Sequence, residues 1–279
     1  YLDPSQLATM LNGMSATQIE QVEIMTQPPA GYDAAGNAGV INIRLKKSRQ
    51  RGFNGAVTLG YAQGAYPKTN NNLQLNYRSD KWNVFGSYSV NINQSFSRIY
   101  ALRTYYNPDG SVASLLEQPS YFKGDGNTHN IRAGADYSLS SKTSVGLTLN
   151  GMLLGRGSTT TNRAIWMNAQ KVQDSMILTT GQNNTDWKNM GGNLNFRHSF
   201  SATRELTADV DVIGYRIRGD QVFENRLAFP GSYVESSRAH LPSDLRIVSA
   251  KTDYSSQWKS IRLQTGLKAS HINTDNLAQ

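Results

Sequence analysis

The chain has 279 residues, 38% of them hydrophobic, with no cysteine, a formal charge of +8 and a pI of about 9.6. That length admits one large domain or two small ones, and the lack of cysteine excludes a disulfide scaffold and thiolate metal sites. The positive charge is scattered along strand faces and loops rather than gathered on a patch or helix, so no nucleic-acid partner is expected. The one basic cluster, Lys46–Arg51, reads as a solvated junction. No run approaches the ~18–20 apolar residues of a membrane helix, which leaves membrane strands of ~9–11 alternating residues open. A mean hydropathy of −0.51 fits a barrel with a polar inner face as well as an ordinary polar β protein.

In chain order, Asp3 and Pro4 cap a short helix whose apolar face is Leu7, Met10 and Leu11, with Gly13 placed to end it. Ser15 to Gln18 has capping-box spacing and forms either a helical turn or a plain loop. Two strands follow, Gln21–Thr26 and Val40–Lys46. In the second, Ile41, Ile43 and Leu45 alternate with Val40, Asn42, Arg44 and Lys46. The connector is rich in turn formers: Pro28, Pro29, Gly31, Asp33, Gly36, Asn37 and Gly39.

The run from Ala30 to Lys47 resembles the C-terminal part of the plug domain of TonB-dependent outer-membrane receptors, in the β-barrel branch common in Bacteroidetes. The matching pieces are Ile19 and Glu20, Val22 to Ile24, Tyr32 and Asp33, Gly36 to Gly39, Ile41 to Ile43, and Lys46 and Lys47. Asp33, Gly36, Asn37, Gly39 and Asn42 are the plug-motif residues, with a structural or gating role in setting the loop before the terminal strand. The Ser-Arg and repeated apolar-Thr-Lys ending of the glycan-uptake branch is absent, so glycan uptake with a lipoprotein partner is not the favoured assignment. The resemblance implies energy-coupled import of an extracellular ligand and a periplasmic TonB-type energy transducer that pulls on the plug. The box that binds that transducer would lie upstream of Tyr1. With no leader visible at Tyr1, the chain reads as a fragment, residues 1–51 ending a plug and 52–279 beginning a barrel in the outer membrane.

From Gly52 onward about nine alternating segments stand out. Their apolar sides include Phe53, Val57, Leu59 and Tyr61; Leu73, Leu75 and Tyr77; Trp82, Val84, Tyr88, Val90 and Ile92; and Ile131, Ala133, Ala135, Tyr137 and Leu139. The next has Val145, Leu147 and Leu149, with either Met152 or Leu153 continuing the set past Gly151. Leu194 and Phe196 mark the sixth. In the seventh the apolar set moves from Val210 and Val212 to Ile213, Tyr215 and Ile217, which reads as a bulge at Gly214. Leu245–Ser255 and Ile261–Ile272 complete the series.

Longer and short connections alternate. Short turns at Ser79–Lys81, Ser140–Lys142, Ser201–Arg204 and Ser256–Lys259 interleave with Gly64–Asn70 and three long loops, Ser95–Asn127, Gly155–Asp186 and Gly219–Asp244. Outer-membrane barrels place short turns on the periplasmic side and long loops outside. Tyr77, Trp82, Tyr137, Phe196, Phe200, Tyr254 and Trp258 flank the short turns as an aromatic girdle facing outer-membrane lipid. Nine strands leave two edges that lipid cannot satisfy, and an eight-stranded barrel has no room for a plug. The expected fold is therefore mainly β: a partial transmembrane antiparallel β-barrel, nine strands of a larger one of about 22, after the end of a small α/β plug domain.

The chemistry expected is binding, not catalysis, and the chain is not expected to be an enzyme. His129, His198, His240 and His271 lie in separate regions without metal spacing, and no nucleophile-elbow motif occurs. The Asn107–Gly110 and Gly124–Asn127 segments lack the acidic spacing of calcium loops and read as turns. Asp209 and Asp211 share a strand face, either as a carboxylate pair or as lumen-facing acids beside Arg197. Tyr100, Tyr105, Tyr106, Tyr121, Trp166 and Tyr233, all on the long loops, are the candidate ligand contacts. No cofactor is expected. A barrel that binds at the surface without transport is the alternative.

Overall fold

The computed structural model describes residues 19–25, 40–45, 51–258 and 261–277. The expected N-terminal helix, the 26–39 connector with Asp33, Gly36, Asn37 and Gly39, and residues 46–50 lie outside the described residues. Among the described residues no helix is long and apolar enough to cross a membrane.

Strands β1 (Ile19–Met25) and β2 (Val40–Leu45) pair antiparallel as a two-stranded sheet. Period-two alternation puts Val22, Ile24 and Ile41 together on one face, all three exposed. The other face is polar: Asn42 Nδ2 donates to Glu23 Oε2 at 2.7 Å, and Arg44 lies 3.4 Å from the same carboxylate.

The remainder is a single antiparallel sheet in strict sequence order. Its strands are β3 (Gly52–Gln63), β4 (Pro67–Arg78), β5 (Trp82–Tyr106), β6 (Val112–Ser138), β7 (Thr143–Asn168), β8 (Gln173–Ser201), β9 (Arg204–Phe229), β10 (Tyr233–Trp258) and β11 (Ile261–Asp275). Each strand pairs only with its sequence neighbours, and β3 and β11 are the two edges.

Register makes one face a continuous apolar surface. Phe53, Tyr77, Val84, Ala135, Leu147, Leu194, Val210, Ala250 and Ala269 follow one another across all nine strands. Leu59, Met190, Leu194 and Leu267 on this side are 80%, 71%, 56% and 83% exposed, whereas Trp187, Met152, Leu154, Ser89 and Asn72 on the other side are buried. The contrast shows which way the sheet curls: the apolar face is convex, the polar one concave. A soluble sheet would bury its apolar face; this one turns it outward.

The apolar band also drifts. Tyr61 on β3 shares its row with Thr69, Ile92, Asn127, Gly155, Asp186 and Arg218, yet on β9 the band ends at Val212, six residues short (218 against 212) after six strand steps. Averaged over the six steps, a shift of about one residue per strand, at ~3.3 Å rise and ~4.8 Å spacing, is a strand tilt of about 35°. That is the tilt a membrane barrel needs to keep its band level.

The nine expected strands are present, but four readings require correction. The three long loops are not loops. β5 and β6 stay paired out to residues 106 and 112, β7 and β8 to 167 and 173, and β9 and β10 to 227 and 233. Only 107–111, 169–172 and 230–232 remain as tips. The Gly64–Asn70 loop likewise shrinks to 64–66, because β4 begins at Pro67. The rhythm of the chain is thus an asymmetry in how far hairpins project beyond the band. Pairing satisfies backbone groups that open loops of that length would leave to water.

The bulge expected at Gly214 is absent: Gly214 pairs in unbroken register with Met190 and Arg246. Register shifts fall instead at Tyr105/Tyr106, Trp166/Met167, Met176/Ile177 and Ser199/Ser201. The change of apolar parity at Ile213 is real, and puts Ile213, Tyr215 and Ile217 on the inward face. Gly124–Asn127 is not a turn but part of β6, paired with β7. Asn107–Gly110 does turn, with Gly110 N donating to Asn107 O at 2.9 Å and Gly110 at a φ of 83°, where only glycine is unstrained.

Gly134 is a close-approach glycine. A Cβ there would lie 2.4 Å from Phe85 Cζ and 2.7 Å from the Leu147 carbonyl oxygen, because the Phe85 ring lies over its cross-strand partner. Gly134→Ala is expected to destabilise the folded sheet by ~1–3 kcal/mol through overpacking, read as a lower urea midpoint. An unchanged midpoint would show that Phe85 swings aside freely.

Candidate functional site

Alternation sends every second residue of β4–β10 inward, and there the side chains are amides, hydroxyls and acids. They bond across strands: Asn83 Nδ2 to Asp136 Oδ2 at 2.9 Å, Asn193 Nδ2 to Asp211 Oδ1 at 2.8 Å, Asn162 Nδ2 to Ser120 Oγ at 2.6 Å and Thr179 Oγ1 to Asn225 Oδ1 at 2.7 Å. These ladders hold a fixed polar lining, able to offer directional hydrogen bonds to whatever occupies the concavity. Toward the short turns it opens into a hollow of about 750 Å³, lined by Lys142, Arg197, Ser199, Arg204, Glu205 and Gln257.

Asp209 and Asp211 both point inward, but Arg197 is not their partner. Its Nε and Nη2 donate to Glu205 Oε2 at 2.7 and 2.5 Å. Asp211 is held by Asn193, and Lys251 stands opposite Asp209 in register. Both carboxylates thus belong to the inward polar lining, Asp211 through its bond from Asn193.

One inward patch differs. Met152 and Leu154 on β7, Trp187 on β8, and Tyr215 and Ile217 on β9 pack into an apolar island, with Trp187 only 4% exposed and its ring 6.4 Å from that of Tyr215. Trp187 Nε1 and Asn189 Oδ1 are buried there without a hydrogen-bond partner among the described residues. The sequence carried two signs of this island: the parity change at Ile213–Ile217 and the ambiguous register at Met152. Gly151 sits in regular register, so Leu153 faces out while Met152 and Leu154 face in.

The six aromatic candidates do not form one site. Tyr105 and Trp166 both face inward and stack at 5.5 Å with an interplanar angle of 28°. Tyr100 and Tyr121 occupy the outward face, Tyr106 follows the bulge at the β5–β6 tip, and Tyr233 opens β10 opposite Leu227. Tyr121 belongs to a group that sequence reasoning missed. Its hydroxyl lies 3.2 Å from that of Tyr66, and Arg98 lies over the rings of Phe96 and Tyr121 at 5.6 and 5.7 Å. Lys123 Nζ is 5.2 Å from the Tyr66 ring centre. The Tyr121 hydroxyl titrates above its ordinary value, chiefly because it is hydrogen-bonded to Tyr66. At the β5–β6 tip, the Ser111 hydroxyl and amide hold Asp109 below the usual carboxylate range.

The short-turn aromatics stand where expected on the outward face: Trp82 and Tyr137 at 4.6 Å, Phe200 and Tyr254 at 6.4 Å. His129 bonds Tyr88, His198 bonds Thr143 and His240 bonds Asp220, each in a different part of the sheet. Among the described residues no group of three metal-ligating side chains occurs.

Residues 198–279, from the end of β8 through β11, match the model of an outer membrane protein beta-barrel family. No curated protein matches the chain. The match falls on the barrel wall, away from residues 1–51 where the plug resemblance lies. It implies an outer-membrane location, in keeping with the outward apolar band.

Proposed function

We propose that this chain is part of a TonB-dependent outer-membrane receptor that imports a ligand too large for porins, its plug gated by a periplasmic energy transducer. Residues 1–51 form the end of the plug and 52–279 the first part of the barrel. The observation that carries the reading is the state of the wall's edges. β3 and β11 are unpaired with each other after nine strands, and an edge in lipid must be closed by further strands. A wall that needs more than nine strands encloses a lumen, and a barrel of about 22 strands is wide enough to need a plug. The hydrogen-bonded inward lining and the Trp187 island give such a plug a surface to rest on. The motif residue Asn42, tied to Glu23, stiffens the terminal plug hairpin.

Planar-bilayer conductance of the full-length protein tests this. The intact protein should be closed, and deletion of the plug up to residue 51 should open a large stable conductance. A deletion variant that stays closed, or an intact protein that is already open, would overturn plug gating. Ligand uptake should also stop when the inner-membrane proton gradient is dissipated.

A second reading, a surface-binding barrel without transport, is favoured by the three projecting hairpins. Their paired strands form stiff ledges rather than mobile loops, with the stacked Tyr105 and Trp166 on the inward side.

A further inference from the structure

The outward face of the β5–β6 hairpin carries two cations that the protein itself does not neutralise. Arg98 and Lys123 make no salt bridge among the described residues; what holds them is the aromatic trio Tyr66, Phe96 and Tyr121. A guanidinium stacked on rings keeps its N–H edge free, and an ammonium over one ring keeps donors free as well. Asp125, two residues nearer the band on β6, makes no ion pair with either.

Position narrows the ligand. On β5 the apolar band ends at Ile92, 48% exposed, and Phe96 follows on the same face, 44% exposed. Four residues at ~3.4 Å, tilted by about 35°, place Phe96 about 11 Å above the hydrocarbon edge. The headgroup layer occupies roughly the first 5–8 Å there, and long basic side chains reach back toward it. Arg98 and Tyr121 share the next outward row beyond Phe96 and Lys123, and the Arg98 guanidinium turns back over the Phe96 ring at 5.6 Å. Two cations and two tyrosine hydroxyls thus stand on the outer side of the wall just above the headgroup layer, not in the lumen, and complement a phosphate on a lipid headgroup.

We propose that Arg98, Lys123, Tyr66 and Tyr121 form a site for the phosphate of an outer-leaflet phosphoglycolipid.

The full-length protein, purified in detergent and loaded with diphosphorylated lipid A, tests this by native mass spectrometry. The double variant Arg98→Gln/Lys123→Gln should retain that lipid about 30-fold less well than the parent. Arg98→Lys, which keeps the charge, should lose far less. Heat-modifiable migration on gels establishes that each variant is folded, so that reduced retention reads binding alone. Dephosphorylated lipid A should not be retained, and inorganic phosphate should not displace the bound lipid. Equal retention by the double variant would overturn the site. Equal retention of the dephosphorylated lipid would make it a sugar-stacking surface, and displacement by inorganic phosphate a free-anion site; either result overturns the proposal.

Discussion

Leu149→Arg is expected to lose ~2–4 kcal/mol of folded stability in a bilayer and to fail to accumulate in the outer membrane. Leu149 lies in the middle of the outward band of β7, between Leu147 and Leu153, and is 54% exposed. In water an exposed leucine exchanged for arginine would be neutral or favourable. In lipid the guanidinium must be dragged out of hydrocarbon or leave it unsolvated. The next residue along the strand, Asn150, points inward and is exposed, so Asn150→Arg should fold almost normally. Urea titration of both variants folded into lipid vesicles reads the difference. Equal behaviour of the two would mean that the faces are not divided between lipid and lumen.

The second large effect is expected at Trp187. Trp187→Ala removes the centre of the inward island and should cost ~3–5 kcal/mol, as large-to-small changes at buried aromatics do. Trp187→Phe separates packing from polarity. It keeps a ring against Met152, Leu154 and Tyr215 and deletes an indole N–H that has no acceptor among the described residues. Leaving a donor buried and unpaired costs ~1–3 kcal/mol, so the phenylalanine variant should lie close to the parent or above it. The urea midpoints of the two variants decide this. An alanine variant as stable as the parent would mean that the island does not hold β7, β8 and β9 together.

Legibility of the chain followed solvent. Where one face meets lipid and the other meets water, as in Val145–Leu149 or Trp82–Ile92, residues must alternate, and the strands were readable one by one. Above the band both faces are wet. Segments such as Ser95–Tyr106 or Gly219–Phe229 need no period of two, so their strands left no pattern and read as loops. The same reasoning explains Gly214. A change in which face is apolar looks like a slip of register, but the register continues unbroken past Met190 and Arg246. What changed was the neighbour, from lipid outside to the Trp187 island inside.

The candidate contacts suffered from the same limit. Spacing along the chain could single out aromatic residues, but not which face each would take once the hairpins paired. Tyr105 and Tyr121 therefore stood together in sequence reasoning, although one faces the lumen and the other the outside. The Arg98 and Lys123 pair lies 25 residues apart (98 against 123) on neighbouring strands, and nothing local links them.

The sequence by itself determined the alternation, the number of strands, the position of the short turns and the paired N-terminal strands β1 and β2, because each depends on residues close together in the chain. Only the tertiary structure decided how far the hairpins extend, the tilt of the band, the inward island and the outward cation cluster. Those depend on cross-strand register, and register is set by backbone hydrogen bonds between residues distant in sequence, which side-chain pattern constrains only where lipid and water lie on opposite sides of a strand.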